Sequence, residues 1–241
     1  MSTNDIGRTR ALSLKYGNDC RAQYCDLKRL PNHKFCQTHK YKLVFRGHEE
    51  QSIIPSRAIS FCRKAVRVLA IENRGKEAWV SLMEAYQDRW NGVLKHVQRQ
   101  LDLYYLGGNA QVRGTRKGHE MTMAIMRDVG FDQTLEIWAA FQYLQADSPN
   151  TFRNDTAFRH QVIKYLRAKA HHHASSTIDR RTGNCKSYSS PLYMVERDTA
   201  YSLILDIFGA IGLRLHQQIE SRAERLRANR NQIDQALRHI T

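Results

Sequence analysis

Four side chains confined to twenty residues constrain this chain more than any other feature: Cys20, Cys25, Cys36 and His39, spaced C-x4-C-x10-C-x2-H. Two pairs of soft or borderline donors lie one short hairpin apart, a pattern that closes around a tetrahedral Zn²⁺. Three of the five cysteines fall within seventeen residues, too crowded for unrelated buried thiols. Residues 29–35 join the two pairs, with Pro31-Asn32 suited to the turn. His33 is an alternative fourth ligand to His39. Four protein ligands leave no position for water, so the expected ion is structural, one per chain. A segment this short cannot bury a core of its own, and its folding would rest on the metal.

The cysteine count also speaks to compartment. Five cysteines, an odd number, with no apolar h-region in MSTNDIGRTRALSLKYGND, argue for thiolate ligands in a reducing environment. The expected location is the cytoplasm, or a host cytoplasm or nucleoid. No run of eighteen apolar residues exists, so no spanning helix is expected. The formal net charge is +15, and such an excess usually meets an anionic partner. Nucleic acid is the first candidate, DNA ahead of RNA, and an anionic membrane surface the second. An interfacial helix favours Trp or Phe beside its charges, and the tail beyond Phe208 has neither.

The segment CRAQYCDLKRLPNHKFCQTHKYKLVFRGHEE resembles a short zinc-binding segment of tailed-phage and mobile-element proteins. There a C-x4-C pair is followed by C-x2-H, an aromatic, basic residues and a glycine with His or Asp. Tyr41, Lys42, Arg46, Gly47 and His48 fill those later places. The resemblance covers about thirty residues. Some members carry the segment on HNH-type endonucleases, others on DNA-associated proteins. No HNH core is traceable in residues 48–241, so the resemblance implies a DNA-associated role.

Beyond the module the expected fold is mainly α: a multi-helix body, residues 51–241, behind a small N-terminal zinc-binding module, residues 1–50. Ile59, Cys62, Val66 and Leu69 recur at helical spacing after Pro55. Trp79 to Leu101 carries one long apolar stripe, read as core. Gly107-Gly108 opens a glycine-rich loop over 107–118. Helices follow around Met121–Met126, 132–146, from Asn154 or Asp155 to about Ala174, and from Leu192 almost to the end. Residues 175–191 are read as a polar loop. Gly209 and Gly212 suggest close packing, and Asn229–Asn231 an interruption. A helix-turn-helix around Met121–Phe141 is rejected, because its second helix holds Asp132 and Glu136 and no cation.

Three basic regions are candidates for phosphate. The module offers Lys28, Arg29, Lys40, Lys42 and Arg46. The glycine-rich loop offers Arg113, Arg116 and Lys117, where glycines let backbone N–H groups approach an anion. Residues 150–190 hold eight Lys or Arg against two acids. Within them His160, Lys164, Arg167 and His171 fall on one side of a helix at about 100° per residue, and Arg180 and Arg181 follow. The leading function is a DNA-binding protein of phage or mobile-element type, regulatory or architectural and not an enzyme. A metal-dependent nuclease or recombination enzyme using His171–Cys185 is the first alternative. An interaction protein for an acidic protein or a ribonucleoprotein is the second. The arginine-rich C-terminal helix also allows a homo-oligomer or protein partner.

Overall fold

A computed structural model describes residues 18–107, 113–170, 174–178, 185–189 and 191–238. The expected mainly α architecture is present, with eight α-helices among the described residues. They are α1 (Gln37–Arg46), α2 (Ser56–Asn73), α3 (Glu77–Tyr105), α4 (Arg113–Ala124), α5 (Phe131–Asp147), α6 (Asp155–Lys169), α7 (Met194–Phe208) and α8 (Ile211–Arg238). A π-helical turn, Ile125–Val129, extends α4, and Gly130 at φ 79° ends it. Among the described residues, no helix is long and apolar enough to cross a membrane.

The core follows the apolar stripes. Ile59, Cys62, Val66 and Leu69 of α2 are buried, as are Tyr86, Trp90, Val97 and Leu101 of α3. Trp138 and Phe141 of α5 meet Ile204, Ile207 and Phe208 of α7 in one cluster with Ile163 and Leu166 of α6. The pair α4–α5, rejected above as a recognition motif, supplies Ile125, Ile137 and Trp138 to that interior. Glu136 is taken up by Arg63 and Arg67 across α2.

Several boundaries depart from the sequence reading. The Asn154 carboxamide accepts from the Ala157 N–H at 2.8 Å, so Asn154 and not Asp155 caps α6. That helix stops at Lys169 rather than near Ala174. The stretch read as a polar loop contains an antiparallel pair, β1 (Ala174–Ile178) with β2 (Cys185–Ser189). Both strands are rich in hydroxyl residues, which disfavour helix, and the segments are too short for alternation to stand out.

The C-terminal stretch is broken at Gly209, whose φ of 52° suits glycine. Its carbonyl accepts from Trp138 Nε1 at 3.0 Å and Gln142 Nε2 at 2.8 Å. A Cβ on Gly212 would lie 2.5 Å from the Ala139 carbonyl oxygen, so α8 crosses α5 backbone to backbone, as its glycine suggested. Asn229–Asn231 interrupts nothing, because α8 runs through to Arg238.

The glycine-rich segment is also corrected. Helix α4 begins at Arg113, and a Cβ on Gly114 or Gly118 would meet Val195 at 2.7 Å or Thr199 at 2.6 Å. These glycines let α4 and α7 pack closely; they do not form an anion-binding loop.

Candidate metal centre and nucleic-acid interface

The N-terminal segment builds a separate small core of Cys20, Ala22, Phe35 and Cys36, with Cys25 and Leu43 against it. Its backbone folds as a tight double loop. The Cys20 N–H donates to Leu27 O at 2.9 Å, closing the loop that carries Cys25. Tyr24 sits in that loop at φ 57°, a left-handed conformation costly for a tyrosine, and its ring is 95% exposed. A second turn places Pro31-Asn32 at its centre, with the His33 N–H donating to Leu30 O at 3.0 Å. Arg29 is buried beneath this turn and donates to the carbonyls of Leu30 and Pro31.

Helix α1 then brings in the second pair of donors. Cys36 is its N-cap and His39 lies one turn along, so the two side chains meet over the helix N-terminus. His39 Nδ1 is 3.3 Å from Cys36 Sγ and 3.4 Å from Cys20 Sγ, and Cys25 Sγ is 4.0 Å from Cys36 Sγ. The four donor atoms all lie within 4.8 Å of one another, and none of the cysteines is in a disulfide. His33 is not part of the group; its Nδ1 accepts from the Phe35 N–H at 3.2 Å.

The surroundings favour charge on the Cys36 sulfur, while the Cys25 thiol is raised. Burial pushes the Cys36 thiol up, but the His39 backbone N–H and the Cys20 and Cys25 sulfurs pull it further down, below its ordinary value. The Cys36 N–H also points at Cys20 Sγ, 3.3 Å away. Cys62, by contrast, is buried in the body, and burial followed by the nearby Asp147 pushes its thiol up to about 11. It is a core residue and no ligand.

The module is docked on α6, which revises the largest basic surface expected from sequence. Gly47 ends α1 at φ 86°, and a Cβ there would lie 2.5 Å from His160 Cβ. His160 is 2% exposed and its Nε2 has no hydrogen-bond partner. Burial, then the positive charges of Lys164 and Arg197, drives its pKa down to about 4. Lys164 Nζ donates to Phe45 O at 2.9 Å and Gln161 Nε2 to Arg46 O at 2.9 Å, satisfying carbonyls at the end of α1. Arg167 is 5% exposed. Burial, then Arg167 and Arg46, lowers Lys164. The face of α6 read as a phosphate-binding stripe is thus largely interior.

Other expected contacts are also engaged within the protein. Arg46 donates to Gln51 O at 3.1 Å. Arg116 donates to Tyr104 Oη, lies 4.5 Å from that ring's centroid, and pairs with Glu120 at 3.5 Å. Lys117 pairs with Glu196 at 3.5 Å. Lys28, Lys40 and Arg113 remain exposed, and Lys42 is half-buried. His171, Arg180 and Arg181 lie outside the described residues, as does most of the His171–Cys185 region considered for catalysis.

Neither a family model, nor a curated protein, nor a solved structure matches this chain.

Two features escaped the sequence reading. Tyr24 and Tyr41 present exposed rings on the module, the latter 54% exposed and stacked near Phe45 at 4.5 Å. Asp147, His216 and Glu220 converge within 4.8 Å at the meeting of α5 and α8. The His216–Glu220 spacing is a sequence signal for one helix face, but its third member comes from another helix.

Proposed function

We propose that this protein binds DNA through a small cationic head clamped by one structural zinc ion. The convergence of Cys20, Cys25, Cys36 and His39 carries the reading. A tetrahedral zinc with bonds of about 2.3 Å to sulfur and 2.0 Å to nitrogen needs S···S and S···N separations of about 3.8 Å and 3.5 Å. Distances of 4.0, 3.4 and 3.3 Å match that set closely. When bound, the ion holds the three thiols as thiolates and pins two loops that share few apolar contacts.

Around this clamp Arg21, Lys28, Lys34 and Lys40 are exposed. Over residues 18–47 seven Lys or Arg face two acids. Point charges on a rigid knob suit phosphate contact, which positions a protein on DNA without reading sequence. The exposed Tyr24 and Tyr41 rings beside them add surfaces able to stack on sugars or bases. The resemblance of residues 20–50 to a segment of phage and mobile-element proteins agrees with a DNA-associated role, regulatory or architectural.

Fluorescence anisotropy of a labelled duplex against salt tests this. Log K should fall with log salt at about −0.9 per phosphate contacted. Lys28→Glu with Lys40→Glu should reduce the slope by about two such contacts and weaken binding at least tenfold, with helicity unchanged. No binding at low salt, or unchanged affinity in the double variant, would reject the module as the contact surface.

A further inference from the structure

Helix α8 outruns the body that supports it. Its first turns pack closely: Gly212 abuts Ala139 of α5, Leu215 is buried, and the His216 ring meets the Tyr143 ring at 5.0 Å between centroids. Asp147 ends α5 level with Glu220, their donor atoms within 4.8 Å of one another. Helix α5 therefore accompanies α8 no further, yet α8 continues to Arg238. Residues 221–238 add about 27 Å at 1.5 Å per residue. A helix of that length is marginal in water without a neighbour. Among the described residues, α5 and α2 are the helices that pack on α8.

The sequence of this stretch has the repeat of a helix pair. Ile219, Ala223, Leu226, Arg230, Ile233 and Leu237 recur at alternating intervals of four and three. These are the a and d positions of a heptad abcdefg, with Ile219, Leu226 and Ile233 at d. Ser221, Glu224, Arg227 and Ala228 fall on the other positions and are exposed. The repeat starts beside further uncovered apolar surface. Ile219 lines a groove of about 340 Å³ with Phe61, Ala65 and Val68 of α2. Phe61 is 66% exposed and Val68 43%, more than an isolated surface residue requires.

Charge selects the partner and its direction. In a parallel pair of two copies, Arg230 would face its own counterpart in one a layer. Arg222 at g would also face the partner's Arg227 at e, a second repulsion. In an antiparallel pair, a positions pack on d positions. With Arg230 level with the partner's Ile233, Leu226 meets the partner's Leu237, and Arg227 stands beside the partner's Asp234. Two-fold symmetry makes each of these contacts twice. One chain thus carries both halves of a complementary surface.

We propose that α8 beyond Ile219 pairs antiparallel with its counterpart in a second copy of this chain, making the protein a two-fold dimer. The pairing rests on neither the metal site nor the DNA reading.

Sedimentation velocity of the full chain over a concentration series tests it. The expected result is a dimer that dissociates on dilution. Leu226→Glu should raise the dissociation constant at least about a hundredfold, since it places two carboxylates in the seam. Its body should melt as the native protein does, because the change lies beyond the end of α5. Arg227→Glu turns both ion pairs into repulsions and should weaken the dimer about tenfold. Arg227→Glu combined with Asp234→Arg should restore it. A monomer at every concentration, or a dimer as strong in Leu226→Glu, would overturn the interface. A tighter dimer in Arg227→Glu, or no restoration in the double variant, would overturn the antiparallel arrangement.

Discussion

The module and the body reach order by opposite routes. The body buries large side chains on α2 to α7 around Trp138, Phe141 and Phe208. Among the described residues, the module's apolar core is only Cys20, Ala22, Phe35 and Cys36, and two of those are candidate metal donors. At about 25 cal/mol per Å² of apolar surface, so small a cluster cannot offset the backbone entropy of some thirty ordered residues, which costs on the order of 1 kcal/mol each. On the proposed reading, one region is stable by packing and the other by coordination. The contrast extends to the cations expected to meet phosphate: Lys164, Arg116 and Lys117 of the body are engaged by a carbonyl or a carboxylate, while Lys28 and Lys40 of the module are exposed.

Two substitutions set these routes against each other. Cys36→Ala should abolish the metal site, forfeiting a binding free energy on the order of 10 kcal/mol. Hydrogen exchange should then rise across residues 18–47 while the cores of α3, α5 and α7 stay protected. Trp138→Ala should cost about 4 kcal/mol and lower the body's melting temperature while leaving metal affinity in place. Collapse of both regions together in either variant would show that they fold as one unit.

The seam between them gives a smaller, pH-dependent effect. His160 is neutral in the folded protein down to about pH 4, whereas in the unfolded chain it protonates near pH 6.5. The unfolded state thus binds more protons between these values, and stability falls as pH drops through that window. The full difference is about 3 kcal/mol. It should appear as a steeper loss of stability from pH 6.5 to pH 4 in the native protein than in His160→Gln. Identical pH profiles would mean that His160 is solvated rather than sealed beneath Gly47.

Much of this was legible in the sequence, and the exceptions share a cause. The candidate ligands Cys20, Cys25, Cys36 and His39 are close in the chain, so spacing alone brings them together. The apolar stripes of α2 and α3 mark their buried sides because each has one covered face. Helix α6 departs from its periodicity: its polar side has the pattern of a solvent-facing stripe, yet α1 packs over His160 and Lys164, and Arg167 is buried as well. Helical periodicity reports which residues share a face, not what lies opposite that face. Gly114 and Gly118 likewise have the composition of a loop, and only the packing of α7 against them gives their role. The Asp147–His216–Glu220 cluster could not be read at all, because two distant helices must pack before it exists.

The central claim is that a metal ion organises the amino-terminal head. Elemental analysis of the full chain, purified under reducing conditions without added metal, tests it most directly. One zinc per chain, released when Cys20, Cys25 and Cys36 are modified by a thiol reagent, is the predicted result. A metal-free protein whose residues 18–47 keep their hydrogen-exchange protection would contradict it.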